Sequence, residues 1–301
     1  MKGFYISFVL LIPFCRTASA QQDAMYSQYM FNMLSVNPAY AGNRDAVTLT
    51  ALKRWQWSTI EGAPQTANFA ADLPLRNNRV GLGLLVVNDQ IGVTKTNSAN
   101  VSYSYKLKFK KRRTLALGIQ GGFTNLRSNL LSLNATTDND PVLLQNVDKW
   151  LPNFGAGVYY STDNFYAGFS VPHMINSTIV DGAEPFLRQH YFLSTGYLIR
   201  PSENILIKPS LLVKYVKGAP LQADINANVW LYGCVGAGLS YRTGDAFVVM
   251  TEFLVAKQFC FGYAYDMTVS HMKNSTSGSH ELLLRYQFGL TKNKQFTPKY
   301  F

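Results

Sequence analysis

The chain has four histidines, His173, His190, His271 and His280, and one of them sits in a run that invites catalysis. Ser279, His280 and Glu281 supply a hydroxyl, an imidazole and a carboxylate in succession, the groups of a relay in which a base takes the nucleophile's proton and an acid orients the base. On a strand, however, neighbouring side chains point to opposite faces, so these three cannot form a relay among themselves. A polar strand start is the better account of them. No H-E-x-x-H or C-x-x-C run signals a metal. The glycine pairs Gly81/Gly83, Gly155/Gly157 and Gly236/Gly238 do not extend to a phosphate or dinucleotide loop. Each lies inside an alternating run, where a small inward residue relieves crowding. Cys234 and Cys260 fall two strands apart, roughly 10 Å at ~4.8 Å per strand, beyond the ~7 Å reach of a disulfide, and are expected to be free thiols. No catalytic residue, cofactor or metal is expected.

The elements that carry these residues are strands. Ala99, Val101, Tyr103, Tyr105 and Leu107 fall on one face of a run whose other face is Asn100, Ser102, Ser104 and Lys106. Residues 221–231 repeat the design, with Leu221, Ala223, Ile225, Ala227, Val229 and Leu231 opposing Gln222, Asp224, Asn226 and Asn228. This period of two is the strand signal. Runs of ~9–11 residues match a tilted strand crossing a bilayer. About fourteen begin near Ala46, Thr66, Val80, Ala99, Thr114, Asn153, Phe165, His190, Ile205, Leu221, Cys234, Ala246, Phe259 and His280, an even number, as in bacterial barrels. The connections alternate in length. Short ones fall at 74–79, 109–113, 162–163, 200–203, 232–233 and 256–258, and longer ones at 58–64, 90–97, 125–152, 172–189 and 267–279. Two exceptions, 217–220 and 243–245, are short. Short periplasmic turns alternating with longer outer loops are expected of an outer-membrane barrel. Trp55 and Trp57 at the end of the first run suit an aromatic girdle.

Composition agrees. Charged residues are only 15% of the chain and aromatics 14%, yet mean hydropathy is −0.04, and past residue 20 no apolar run approaches the ~20 residues of a membrane helix. Residues 1–20 read as a cleavable export signal: Lys2, an apolar run over 4–14, then Ala18-Ser19-Ala20. Cys15 lacks the small residues before it that a lipoprotein signal wants. Removing this stretch takes away Lys2 and Arg16 and leaves a basic chain. Basic balance can mean nucleic acid; in an exported protein, outer-membrane lipid headgroups or acidic partners are expected instead, and no nucleic acid. Residues 21–45 do not alternate. They are expected to pack into or under the lumen as a plug, with 46–288 the all-β transmembrane barrel and 289–301 a basic periplasmic tail. The inward sets hold Arg54, Asp72, Lys106, Lys208, Lys214, Asp224, Asp266 and Arg285; charges near low dielectric are costly unless paired, so pairing across the lumen or with the plug is expected.

At 28–42 the order of residues becomes specific: Gln28, Tyr29, Asn32, Asn37, Pro38, Ala39, Tyr40, Ala41 and Gly42. Then come Arg54, Gln56 and Trp57; Gly62-Ala63-Pro64; Gly81 and Gly83; Asp89-Gln90-Ile91-Gly92; and finally Tyr265-Asp266 and Gly278-Ser279-His280-Glu281. In this order and spacing the chain resembles the PorP/SprF family of type IX secretion system outer-membrane proteins over nearly all of 21–288. The resemblance implies a non-catalytic barrel in the bacterial outer membrane, serving secretion or gliding motility. Its implied partners are periplasmic type IX secretion components, a large secreted protein with a C-terminal secretion domain such as a surface adhesin, or both. The motif positions Asn37, Pro38, Tyr40, Gly42, Arg54, Trp57, Pro64, Asp89, Gly92, Asp266, Gly278, His280 and Glu281 are then expected to serve structure or partner binding. The alternatives are a passive channel for small solutes, since larger barrels admit water, and a barrel enzyme acting on lipid.

Overall fold

A computed structural model describes residues 25–75, 78–132, 146–176, 187–256 and 258–289. Its strands are β1 (Val47–Trp55), β2 (Gln65–Leu75), β3 (Val80–Ile91), β4 (Thr94–Phe109), β5 (Arg113–Ser128), β6 (Val147–Ser161), β7 (Phe165–Val171), β8 (His190–Tyr197), β9 (Ile199–Ser202), β10 (Ile205–Val216), β11 (Gln222–Leu231), β12 (Val235–Arg242), β13 (Ala246–Val255), β14 (Phe259–Thr268) and β15 (Ser279–Phe288). Successive strands pair antiparallel, and β15 pairs with β1 from Val47↔Phe288 to Trp55↔His280. The sheet is therefore a closed fourteen-stave barrel with one extra strand, because β9 continues β8 past Leu198 and both pair with β10.

Alternation decides which side chain faces where. Along β4, Asn100, Ser102, Ser104 and Lys106 are buried, while Val101, Tyr103, Tyr105 and Leu107 are exposed. In an ordinary soluble domain the apolar face would be the covered one. Here the polar face is covered and the aliphatic and aromatic face is bare all round the barrel, the inversion a lipid solvent demands. Arg54, Asp72, Lys106, Lys208, Lys214, Asp224 and Asp266 are all buried in the lumen.

Three features differ from the sequence expectation. Residues 90–97 are not a long loop: β3 runs to Ile91 and β4 starts at Thr94, so only Gly92 and Val93 turn the chain. β4 and β5 each have 16 residues and β6 has 15, well past the ~9–11 that span a bilayer. Their starts lie at Thr94, Arg113 and Val147, ahead of the expected 99, 114 and 153. At the start of β4, Thr94 to Ser98 are polar on both faces, and at the start of β6 the apolar residues Val147, Trp150 and Leu151 do not share one face, so the alternation that reveals a strand is missing from these ends. Finally, 200–203 is not simply a turn, since Ile199–Ser202 is the short strand β9.

The interior is filled by residues 25–45. Three 3-10 turns, Tyr29–Phe31, Met33–Ser35 and Pro38–Tyr40, fold this segment compactly, and Tyr29, Met30, Met33, Leu34, Ala39, Tyr40 and Ala41 are each 2% exposed or less. Burying each large apolar side chain contributes about 1.5–3 kcal/mol, enough to offset the ~1–2 kcal/mol cost of fixing a residue's backbone. Short polar hydrogen-bonded turns between those side chains let an irregular chain satisfy its backbone inside a barrel. Residues 1–20 and most of the tail, 290–301, lie outside the described residues, as do the centres of the 125–152 and 172–189 connections.

Candidate functional site: the filled lumen and the outer rim

Ser27 and Gln28 enter the lumen at the end where the long loops lie, and a cluster of charges holds them there. Glu281 Oε2 accepts from the Ser27 backbone N–H at 2.9 Å and Glu281 Oε1 from that of Gln28 at 2.8 Å. Arg54, on the neighbouring strand, donates to Glu281 Oε2 at 3.2 Å and to Asp266 Oδ2 at 2.7 Å. The Ser27 hydroxyl donates to Asp266 at 2.7 Å and accepts from Arg54 at 3.0 Å and from Arg242 at 3.2 Å. Arg242 in turn meets Asp224 at 3.0 Å, Asp245 at 3.3 Å and Asp266 at 3.5 Å. The register explains the meeting: Arg54 lies opposite Glu281 across the β1–β15 closure, and Glu281 opposite Ala264 on β14. Buried ions of this kind hold together only as a network.

Further in, the segment is seated on strand glycines. A Cβ on Gly118 would lie 2.2 Å from Ala39 N, on Gly81 1.9 Å from Ala41 O, and on Gly157 2.1 Å from the Asn37 side chain. Asn37 caps the third turn by accepting from Ala39 N–H at 2.9 Å, and its amide donates to Val158 O at 3.0 Å. Tyr40 meets Tyr159 edge-on with centroids 5.4 Å apart, and Tyr159 stacks on Tyr166 at 5.7 Å. Ser104 and Ser170 donate to the Ala41 and Val36 carbonyls at 2.6 and 2.8 Å. Lys106 donates to Gly42 O at the short-turn end. Gly42 itself has φ +60, a left-handed conformation suited to glycine. Across the lumen, Asn226 donates to the Tyr29 hydroxyl at 2.7 Å and Trp230 packs edge-on against Phe31 at 6.2 Å. The segment thus traverses the lumen from the long-loop end to the short-turn end and touches opposite walls.

A second polar cluster lies in the wall. Glu252 accepts from Arg285 at 2.5 Å, from the Trp230 indole at 2.8 Å and from the Cys260 thiol at 2.8 Å, and the Lys208 ammonium lies 5.4 Å from the Trp230 ring centroid. Cys260 is buried here, whereas Cys234 is exposed in a turn.

The residues singled out in the sequence therefore separate into groups. Asn37, Pro38, Tyr40 and Gly42 belong to the lumen segment, and Arg54, Asp266 and Glu281 to its latch. Trp57, Pro64, Gly92 and Gly278 join the loops at the outer rim: Trp57 N–H donates to Ser279 Oγ at 3.1 Å, Ser58 N–H to Gly278 O at 2.9 Å, Gln56 N–H to Pro64 O at 3.0 Å and Gly92 N–H to Gly62 O at 2.8 Å. Asp89 accepts from Thr66 Oγ1 at 2.6 Å. His280 faces outward, with Nδ1 2.8 Å from Tyr263 Oη, while Ser279 and Glu281 face in. Trp57 lies beyond β1 with φ 50, so strand alternation does not set its direction. Sequence reasoning passed over Ser27, Arg242, Trp230 and Glu252. Parity alone would have turned Arg242 inward with Gly236, Gly238 and Ser240, and Trp230 with Asn226 and Asn228. Among the described residues no group of three or more His, Cys, Asp or Glu is arranged to hold a metal ion.

A closed, bare-faced barrel of fourteen staves with a charged, occupied lumen is an outer-membrane β-barrel. Solved structures share the fold. The Acinetobacter baumannii outer membrane protein Omp33 matches with a TM-score of 0.50 at 8% identity, over 82% of this chain and 100% of that one. A structure titled "CymD monoaromatic hydrocarbon channel" matches with a TM-score of 0.51 at 11% identity, over 88% and 94%. At such identities the likeness extends to the fold alone. A search of curated proteins finds no match. The family model described as "Type IX secretion system membrane protein PorP/SprF" matches residues 18–286, and the chain belongs to that family. It is an outer-membrane barrel of the type IX secretion system.

Proposed function

We propose that this barrel is a closed, non-catalytic scaffold that holds periplasmic type IX secretion components, a large secreted protein with a C-terminal secretion domain, or both, at the outer membrane. The observation that carries this reading is the lumen: residues 25–45 fill it, latched at one end by Glu281, Asp266 and Arg54 and seated along its length on glycines. A barrel so filled offers its ends and loops rather than a path. Short turns place one end in the periplasm and long loops place the other outside, leaving surfaces for partners on both sides. Residues 1–20 serve in this reading as the cleaved export signal, 21–45 as a plug, and 289–301 as a periplasmic tail. The motif residues of the lumen build the plug, and those of the rim fix the loops.

Affinity purification of the native-level protein from detergent-solubilised outer membrane, followed by mass spectrometry, tests the reading. Co-purified periplasmic secretion components or a large exported protein with a C-terminal secretion domain are expected. A barrel recovered alone would favour the second reading, a passive channel for small solutes, which the stave number favours because larger barrels admit water.

A further inference from the structure

At the long-loop end, the lipid-facing surface carries a cleft that no role above uses. Trp55, Tyr263, His280 and Leu282 line it, Ile60 and Ala63 of the first outer loop overhang it, and its volume is about 370 Å³. The strand register builds it from two outward rows. Trp55 lies opposite His280, and His280 opposite Tyr265; one pleat deeper, Lys53 lies opposite Leu282, and Leu282 opposite Tyr263. The upper row is a ring system: His280 lies 5.1 Å from the Tyr265 centroid. The lower row presents apolar surface, with Leu282 48% and Tyr263 40% exposed.

Lys53 stands beside the cleft, next to its lining residues Trp55 and Leu282, and is the unusual member of the lower row. A lysine facing lipid costs about 2–4 kcal/mol at the bilayer midplane and ~0–1 near the interface. Lys53 is two residues from the end of β1, roughly 7 Å below it at ~3.3 Å per residue, and its ammonium lies 5.8 Å from the Trp55 ring centroid. That reach sets a cation beside an aromatic wall at headgroup depth, where phosphates of anionic lipids reside. Gln56, Ser58 and Gln65 around the cleft supply hydrogen-bonding groups for the rest of a headgroup.

We propose that this cleft binds one phosphate-bearing lipid of the outer leaflet. Lys53 meets the phosphate, Trp55 and His280 wall the headgroup, and the first acyl segment lies on Leu282 and Tyr263. The site rests on the outer-membrane fold alone and is independent of which protein the barrel holds.

Native mass spectrometry of the detergent-solubilised full chain with dioleoyl phosphatidic acid tests this. Dioleoylglycerol supplies the same chains without phosphate, and inorganic phosphate supplies the anion without chains. One phosphatidic acid is expected to stay bound in preference to dioleoylglycerol and to resist displacement by inorganic phosphate. Lys53→Gln should weaken it about fivefold, the equivalent of the ~1 kcal/mol a basic residue contributes near a charged membrane surface. Ala63→Trp, which fills the cleft and keeps the lysine, should displace it as well. Both variants are first shown to keep the native heat-dependent gel mobility. Equal retention of dioleoylglycerol, displacement by inorganic phosphate at matched concentration, or unchanged binding in both folded variants would each overturn the proposal.

Discussion

Glu281 shows how a single carboxylate sets the entry of the lumen segment. It accepts two successive backbone N–H groups and an arginine, and is fully buried. Removing one member of such a cluster leaves an uncompensated buried charge, which costs about 3–5 kcal/mol. Arg54→Met should therefore lower the temperature at which the folded barrel converts to the unfolded band on a gel, and should open 25–45 to protease. Glu281→Gln keeps an acceptor for the backbone and should shift it less. If neither variant moved the conversion temperature or the protease pattern, the latch would not hold the segment. The sequence marked Arg54, Asp266 and Glu281 through the family pattern, and Arg54 and Asp266 through inward parity as well. It could not mark Ser27, whose hydroxyl matters only because it arrives between Arg54 and two residues over 200 positions away along the chain, Arg242 and Asp266.

At the scale of elements, the inward glycines acquire a specific cause. They relieve crowding as their place in alternating runs suggested, and what crowds them at Gly81, Gly118 and Gly157 is the backbone or side chain of the lumen segment. Gly118→Ala and Gly81→Ala place a methyl group against main-chain atoms, so each should destabilise by about 1–3 kcal/mol through overpacking. Gly121, on the same strand as Gly118, is a control: its added Cβ would meet the Phe154 ring at 3.6 Å, an ordinary contact, and Gly121→Ala should be near neutral. Conversion temperatures of the three variants decide this, and equal shifts would contradict the socket account. Twelve of the fourteen expected strands start within one residue of where alternation put them. Those of the extended hairpins, β4 to β6, were cut short, because the hydrophobic contrast that reveals a strand is imposed by lipid and ends where lipid ends.

For the whole molecule, closure and filling are the decisive facts. The β1–β15 pairing removes the sheet edges, and the lumen segment reaches opposite walls. Reconstituted in a planar bilayer, the full chain is expected to show no sustained conductance, and a chain lacking residues 21–45 is expected to conduct. A full chain that conducts as well as the deleted one would remove the plug and with it the main support for a scaffold over a channel. The basic turn at Lys111 and Arg112 belongs to this scale too. Its one ion pair in the described residues, Arg112 with Asp163 at 3.8 Å, is largely exposed and contributes little to stability, so its charge is free to act on whatever faces the short-turn end.

The sequence by itself determined the barrel: a period of two, strand runs of bilayer length and alternating connections are local properties, and lipid on one face leaves a one-dimensional record. It also carried the family, through the order of short motifs. The tertiary structure decided the rest. Whether an irregular apolar segment lies in a lumen or hangs beneath it depends on which inward side chains surround it. So does whether Arg54, Asp266 and Glu281 meet. Arg54 is far from the other two in the chain and becomes their neighbour only when the last strand closes on the first.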